Sequence, residues 1–148
     1  MELFQVLLDS QSTVNVFINP AFLRNIRKSE WTLKLRTQAG MCTIDQVGDL
    51  PGVGVVWYYP DGVANIISQH RAITMSKWRV SFDSDLYYRT GNPLDLCFNC
   101  VTSEGIKLQF SPTERGLHVL NCADDRTGYL EIRTIPASSI RAWPVFQN

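Results

Sequence analysis

"LLDSQSTVNVF", residues 7–17, decides how the chain is read. A strand-like apolar run over residues 3–8 (LFQVLL) ends on a carboxylate, Asp9, and Ser10, Ser12 and Thr13 place small hydroxyls directly after it. Two readings compete. An Asp-Ser pair after a strand opens turns, because the carboxylate accepts backbone N–H groups of its own loop. The same pattern also delivers a carboxylate into a cleft. There, a second carboxylate at contact distance forces the pair to share one proton, so that one activates a water while the other polarises a carbonyl.

Outward from this stretch, strand signals dominate. Residues 31–37, 53–59, 78–82, 94–101, 106–110, 117–121 and 129–135 are short and rich in β-branched or aromatic residues. Turn signals separate them at Gly40, 51–54 (PGVG), 60–62 (PDG), 90–93 (TGNP), 103–105 (SEG) and 124–128 (DDRTG). Helical periodicity is thin. Asn19-Pro20 opens residues 20–29 as two predicted turns of helix, and residues 62–73 read as a short helix or as a strand running into a turn. Short strands with regular turns predict a mostly β barrel or sandwich with few short helices. A chain of 148 residues fits one domain, with 136–148 an irregular tail or linker.

Composition narrows the function classes. Lys+Arg and Asp+Glu number 14 each, so the chain lacks the basic excess of a phosphate binder. Its densest basic stretch, residues 24–28 (RNIRK), reads as a solvated face, and no direct nucleic-acid partner is expected. No apolar run reaches the ~18 residues of a membrane span, and the N-terminus has no signal-peptide pattern; a cytoplasmic protein is expected. Without a secretory signal, Cys42, Cys97, Cys100 and Cys122 are expected as free thiols. In residues 97–100 (CFNC), the spacing puts the two cysteines on opposite faces of a strand. Gly105 stands where a zinc knuckle needs His, so packing cysteines are expected, with no metal and no cofactor. His70 and His118 have no nucleophile setting and read as surface or packing residues. Residues 51–57 (PGVGVVW) lack the Lys-Ser/Thr of a phosphate loop. Trp31, Trp57, Trp78 and Trp143 read as core or interface anchors, and Trp57-Tyr58-Tyr59 as core rather than as the lining of a peptide cleft.

A catalytic Asp9 needs a twin. The only echo in the chain is Asp83-Ser84 in residues 80–85 (VSFDSD), where the following SDLYYRTG reads as a hairpin connection. One strand–Asp unit must therefore find its partner in a second copy, across a two-fold axis.

The ordered motifs resemble the protease region of copia-type long-terminal-repeat retrotransposon polyproteins, a branch of the retropepsin-like aspartic proteases, in a Gln-containing Asp-Ser-Gln-Ser variant. The matched positions are Leu7 to Ser12 for the Asp-Ser loop and Gly52, Val53, Gly54, Val55 and Val56 for a Gly-x-Gly-x-Val strand. Pro60 follows as a turn, Asn65, Ile66, Ile67 and Ser68 as an Asn-Leu-Leu-Ser-like segment, then Val80 and Phe82, and Gly116 to Leu120. The resemblance implies a retropepsin-like small barrel over residues 1–90, with additional C-terminal strands over 91–135 in the same domain or as a small extension. It implies a homodimer in which Asp9 is catalytic, Ser10 ties the two active-site loops together and Ser12 hydrogen-bonds near the carboxylate. A flap would come from the hairpin between about Thr37 and Gly54, and Asn65, Ile66, Ile67 and Ser68 would pack behind the loop. The implied function is an aspartic endopeptidase acting on a retroelement gag-pol polyprotein, in the cytoplasm or in a virus-like particle. Two departures stand out: Gln11 occupies the position of the loop glycine, where bulk crowds the axis, and Ser68 replaces a second glycine. A catalytically inactive interaction module on the same fold, and a generic β-sandwich in which Asp9 is a turn residue, are the alternatives.

Overall fold

The computed structural model describes residues 3–37 and 40–122. Its strands are β1 (Gln5–Asp9), β2 (Val16–Phe17), β3 (Arg24–Thr37), β4 (Gly40–Leu50), β5 (Gly54–Tyr58), β6 (Asn65–Ser68), β7 (Arg79–Phe82), β8 (Phe98–Val101), β9 (Lys107–Pro112) and β10 (His118–Asn121). Two short helices, α1 (Gln69–Thr74) and α2 (Ser84–Thr90), follow β6 and β7. The protein is mostly β, as expected. Its strands form one open mixed sheet in the order β3-β4-β5-β2-β6-β1-β10-β9-β8-β7, rather than a closed barrel.

Strand β1 lies inside this order, and its sequence explains why. Val6, Leu7 and Leu8 are apolar in succession and buried in succession, the pattern of a strand covered on both faces. It pairs in parallel with β6 (Val6↔Asn65 to Asp9↔Ser68) and antiparallel with β10 (Gln5↔Asn121 to Leu8↔His118). β2 pairs with the other side of β6. β6 is thus inserted between two strands that are consecutive in the chain, and the loop 10–15 must cross its end.

The core joins Val6, Phe17, Phe22, Ile67, Trp78 and Phe110 across the sheet. Trp78 is 2% exposed, and its indole N–H donates to the Gly52 carbonyl at 3.0 Å. This fastens the segment after α1 to the β4–β5 turn. Gly52 and Gly54 hold φ of +84° and +119° there, conformations that a side chain would strain.

Three local expectations change. The helix expected over 20–29 is one 3-10 turn, Pro20–Phe22, capped by Asn19, whose side chain accepts the Ala21 N–H at 3.0 Å. Asn25 turns to φ +53°, and Arg24 already pairs with Asp49 of β4, so cross-strand pairing overrides the helical pattern. The strand expected over 94–101 starts only at Phe98, because Asn92 caps a 3-10 turn at Pro93–Asp95. Residues 84–91 do connect two antiparallel strands, β7 and β8, but by way of α2. Asp83 caps that helix, and Gly91 ends it at φ +69°. The two options for residues 62–73 are both realised, as β6 followed directly by α1. β7 pairs with β8 across residue 90, so the strands on either side of that position share the sheet. The strand and turn expected at 129–135 and 124–128, the tail 136–148 and Trp143 lie outside the described residues.

Candidate active site

Asp9 ends β1 half-buried, and its Oδ1 accepts the Gln11 N–H at 2.8 Å. That is the local turn bond, and it fixes the carboxylate's orientation. Asp9 and Gln11 line a cavity of about 210 Å³ together with Gln69, Phe98, Leu117 and His118. Ser10 and Gln11 are exposed at the crest of the loop.

Ser12 behaves differently from expectation. Its hydroxyl donates to Val14 O at 2.7 Å, closing its own loop instead of reaching the carboxylate. The support comes from Ser68. Its N–H donates to Asn15 Oδ1 at 2.7 Å, and its hydroxyl donates to Ser12 O at 2.7 Å. Ser68 Oγ in turn accepts the Arg71 N–H at 3.2 Å, as the N-cap of α1. Arg71 Nε donates to Thr13 O at 2.6 Å. The loop after Asp9 is thereby bolted to the β6–α1 junction at three points, and Ser68, a departure from the glycine of the resemblance, supplies two of them.

Ser68→Ala is expected to lower stability by about 1–2 kcal/mol through the lost cap and loop bond. A shifted denaturant midpoint with an unchanged slope would show it; no shift would remove Ser68 from this role.

Asn65, fully buried, uses its whole amide. Oδ1 accepts the Ile18 and Asn19 N–H groups at 2.9 and 3.0 Å, and Nδ2 donates to Leu3 O and Gln5 O at 2.8 and 2.9 Å. It joins the chain before β1 to the chain after β2. Ile66 is half-buried and lines the cleft described next, and Ile67 is fully buried in the core. Of residues 65–68, then, Ser68 holds the loop, Asn65 ties the chain around β1 and β2, Ile67 fills the core and Ile66 faces the cleft. Asn15 and Arg71 were missed; the one legible signal was Asn15, a polar residue set between Val14 and Val16 yet only 7% exposed.

Beside the loop lies a larger, mainly apolar cleft of about 580 Å³. Ser12 and Val14 form one rim, Leu35, Met41 and Cys42 of the β3–β4 hairpin another, and Tyr59 and Val63 a third. The projecting hairpin is built from Arg24–Thr37 and Gly40–Leu50, so the segment 37–54 proposed as a flap is only its returning arm and the turn into β5. Within Trp57-Tyr58-Tyr59, Tyr58 packs on the core, whereas Tyr59 lines the cleft. The Cys42 sulfur beside Tyr59 pushes its phenol above the usual range, with burial adding to the effect.

The remaining sequence candidates sit elsewhere. All four cysteines are free thiols. Cys97 precedes β8 instead of sharing a strand with Cys100; both are buried, and burial pushes the Cys100 thiol up to about 12. Cys97 accepts from Gln109 Nε2 at 2.9 Å. Among the described residues, no three His, Cys, Asp or Glu side chains gather as metal ligands. Trp31 is 75% exposed, Trp57 half-buried. His70 is exposed on α1. In the basic stretch, Arg27 pairs with Asp49 at 3.1 Å. No helix among the described residues is long and apolar enough to cross a membrane.

Comparison of the chain with protein-family models, with curated proteins and with solved structures finds no match.

Proposed function

We propose that the chain is one half of an aspartic endopeptidase, completed by a second copy of itself. The observation that carries this reading is the insertion of β6 between β1 and β2. It makes the loop after Asp9 cross a strand end and be held there by Ser68, Asn15 and Arg71. A carboxylate so placed is fixed by the fold and lines the smaller cavity, while Ser12 of the same loop reaches the rim of the larger cleft, which suits an extended apolar peptide.

Among the described residues no second carboxylate lines the Asp9 cavity, so the partner group would come from a second copy. Asp83, its only sequence echo, is exposed and caps α2 after β7, at the far edge of the sheet from β6. Two Asp9 groups meeting across a two-fold axis would hold one proton between them. The ionised one draws a proton from water, which attacks the peptide carbonyl; the protonated one donates to the carbonyl oxygen and stabilises the tetrahedral intermediate. Proton return to the leaving nitrogen completes hydrolysis. The substrate would be a polyprotein of retroelement type, cut in the cytoplasm or within a particle, and the chain itself supplies all the required groups.

The test is cleavage of an unstructured polypeptide below neutral pH, with chain concentration varied. A shared site requires activity to rise with roughly the square of concentration below the dimer's dissociation constant, alongside dimer formation in sedimentation. A strictly monomeric chain at high concentration, or cleavage linear in concentration throughout, defeats the proposal.

One observation favours a second reading, a non-catalytic interaction module. Gln11 is exposed at the loop crest, where two copies would bring its polar ends face to face. Cleavage gained by Gln11→Gly in an otherwise inert dimer would identify the natural chain as that module.

A further inference from the structure

His118 pairs with Leu8 in the β1–β10 ladder, one position from Asp9, and lines the same cavity. Its Nε2 lies 3.0 Å from Leu96 O. A carbonyl only accepts, so Nε2 carries the proton, and in the neutral ring Nδ1 is a bare acceptor. The ring packs edge-to-face with Phe98 at 4.6 Å and with Phe82 at 6.2 Å, and these two phenyl groups also touch each other at 4.9 Å. Three strands, β7, β8 and β10, thus meet at one imidazole that forms a wall of the Asp9 site.

The surroundings hold little to balance a positive charge. β7 and β8 present phenyl rings, β9 presents Pro112 opposite His118 in the ladder, and α1 brings the uncharged Gln69 to the cavity. Asp95 adjoins Leu96, but its Oδ2 accepts the Thr90 hydroxyl at 2.5 Å. Asp9 is the one acidic group lining the cavity among the described residues. Burial lowers the affinity of His118 for a proton, and the Leu96 carbonyl offsets only part of that effect.

We infer that His118 is a positioning residue for Asp9, holding the end of β1 against β10 while neutral and loosening it when protonated. This rests on Asp9 as the reacting group, and it sets two protonations against each other. Acid keeps the shared proton on the Asp9 pair, while further acid charges the wall that positions it. The site would therefore work within an acid window whose lower limit His118 sets.

The sign follows from linkage. Because the folded ring binds its proton less readily than the unfolded one, the contribution of His118 is complete above about pH 6.5. It falls as pH drops through that value, and is lost once pH has passed the folded ring's own titration.

The experiment is amide exchange at residues 8–11 against pH, corrected for the intrinsic rate, in wild type and in His118→Gln. Glutamine retains an N–H donor for Leu96 O and does not titrate. Wild-type protection is expected to fall about tenfold for each unit separating the unfolded and folded titrations of the ring, while His118→Gln keeps its neutral-pH protection into acid. Should glutamine pack badly, His118→Phe supplies an apolar ring without the proton. The same acid loss in both variants, or an imidazole titrating at or above its ordinary value by NMR, overturns the inference. Exchange needs no substrate: a His118-dependent loss of protection in a chain that never cleaves would sustain the coupling while rejecting Asp9 as catalytic.

Discussion

Replacing Asp9 with Asn is expected to remove peptide cleavage, by about 10³-fold or more, while leaving the chain folded. The amide oxygen of Asn can still accept the Gln11 N–H that orients the native side chain, so the turn survives. What disappears is the chemistry. An amide neither ionises to take a proton from water nor shares one with a twin carboxylate. A mixed dimer of one native and one substituted chain is expected to be equally inert, because each site needs both carboxylates. Cleavage of an unstructured polypeptide, measured beside the thermal transition of each variant, checks both halves. Activity in Asp9→Asn within a few-fold of wild type would reduce Asp9 to a turn residue.

The largest structural effect is expected at Asn65. Asn65→Leu keeps a similar volume but strands the N–H groups of Ile18 and Asn19 and removes a donor from the carbonyls of Gln5 and Leu3, the latter keeping the Asn19 Nδ2 donor. Each buried group left without a partner costs about 1–3 kcal/mol. Even with partial relaxation the loss is on the order of 4 kcal/mol, a large part of the total stability of an ordinary domain. Asn65→Asp isolates the two halves of the network: its carboxylate still accepts from Ile18 and Asn19 but has no donor for Leu3 O and Gln5 O. Urea unfolding is expected to order the variants as wild type, then Asp, then Leu. A Leu variant within 1 kcal/mol of wild type would show that the four bonds are not the tie they resemble.

The two effects are linked through β6. Asn65 begins the strand and Ser68 ends it, so one four-residue strand holds the chain on both sides of the Asp9 loop. Loosening it at Asn65 is therefore expected to disturb the loop as well as the fold.

Most of this architecture was legible where local pattern and tertiary role agree. The apolar run over residues 3–8 reads as a strand, and β1 is one. An Asp-Ser pair after a strand was one of two readings as a turn opener, and the Gln11 N–H bond makes that turn. The glycines of residues 51–54 marked a bend that only positive φ allows. Legibility failed where two segments distant in the chain had to agree. Residues 20–29 read as two turns of helix, but from Arg24 onward β4 offers a partner strand across the hairpin and pairing prevails. Ser12 looked like the carboxylate's support because it is close in sequence, whereas the bolt, Ser68, comes from 56 residues away.

Thus the sequence alone determined the strand-rich class, the turn at Asp9 and the positions of the main bends, since these depend on backbone preferences and on contacts a few residues long. The tertiary structure decided that β6 separates β1 from β2, that Asn15 and Arg71 serve the loop, and that His118 shares a cavity with Asp9. Those facts depend on strand order and register, and a register is chosen by every side chain on both faces of the sheet at once.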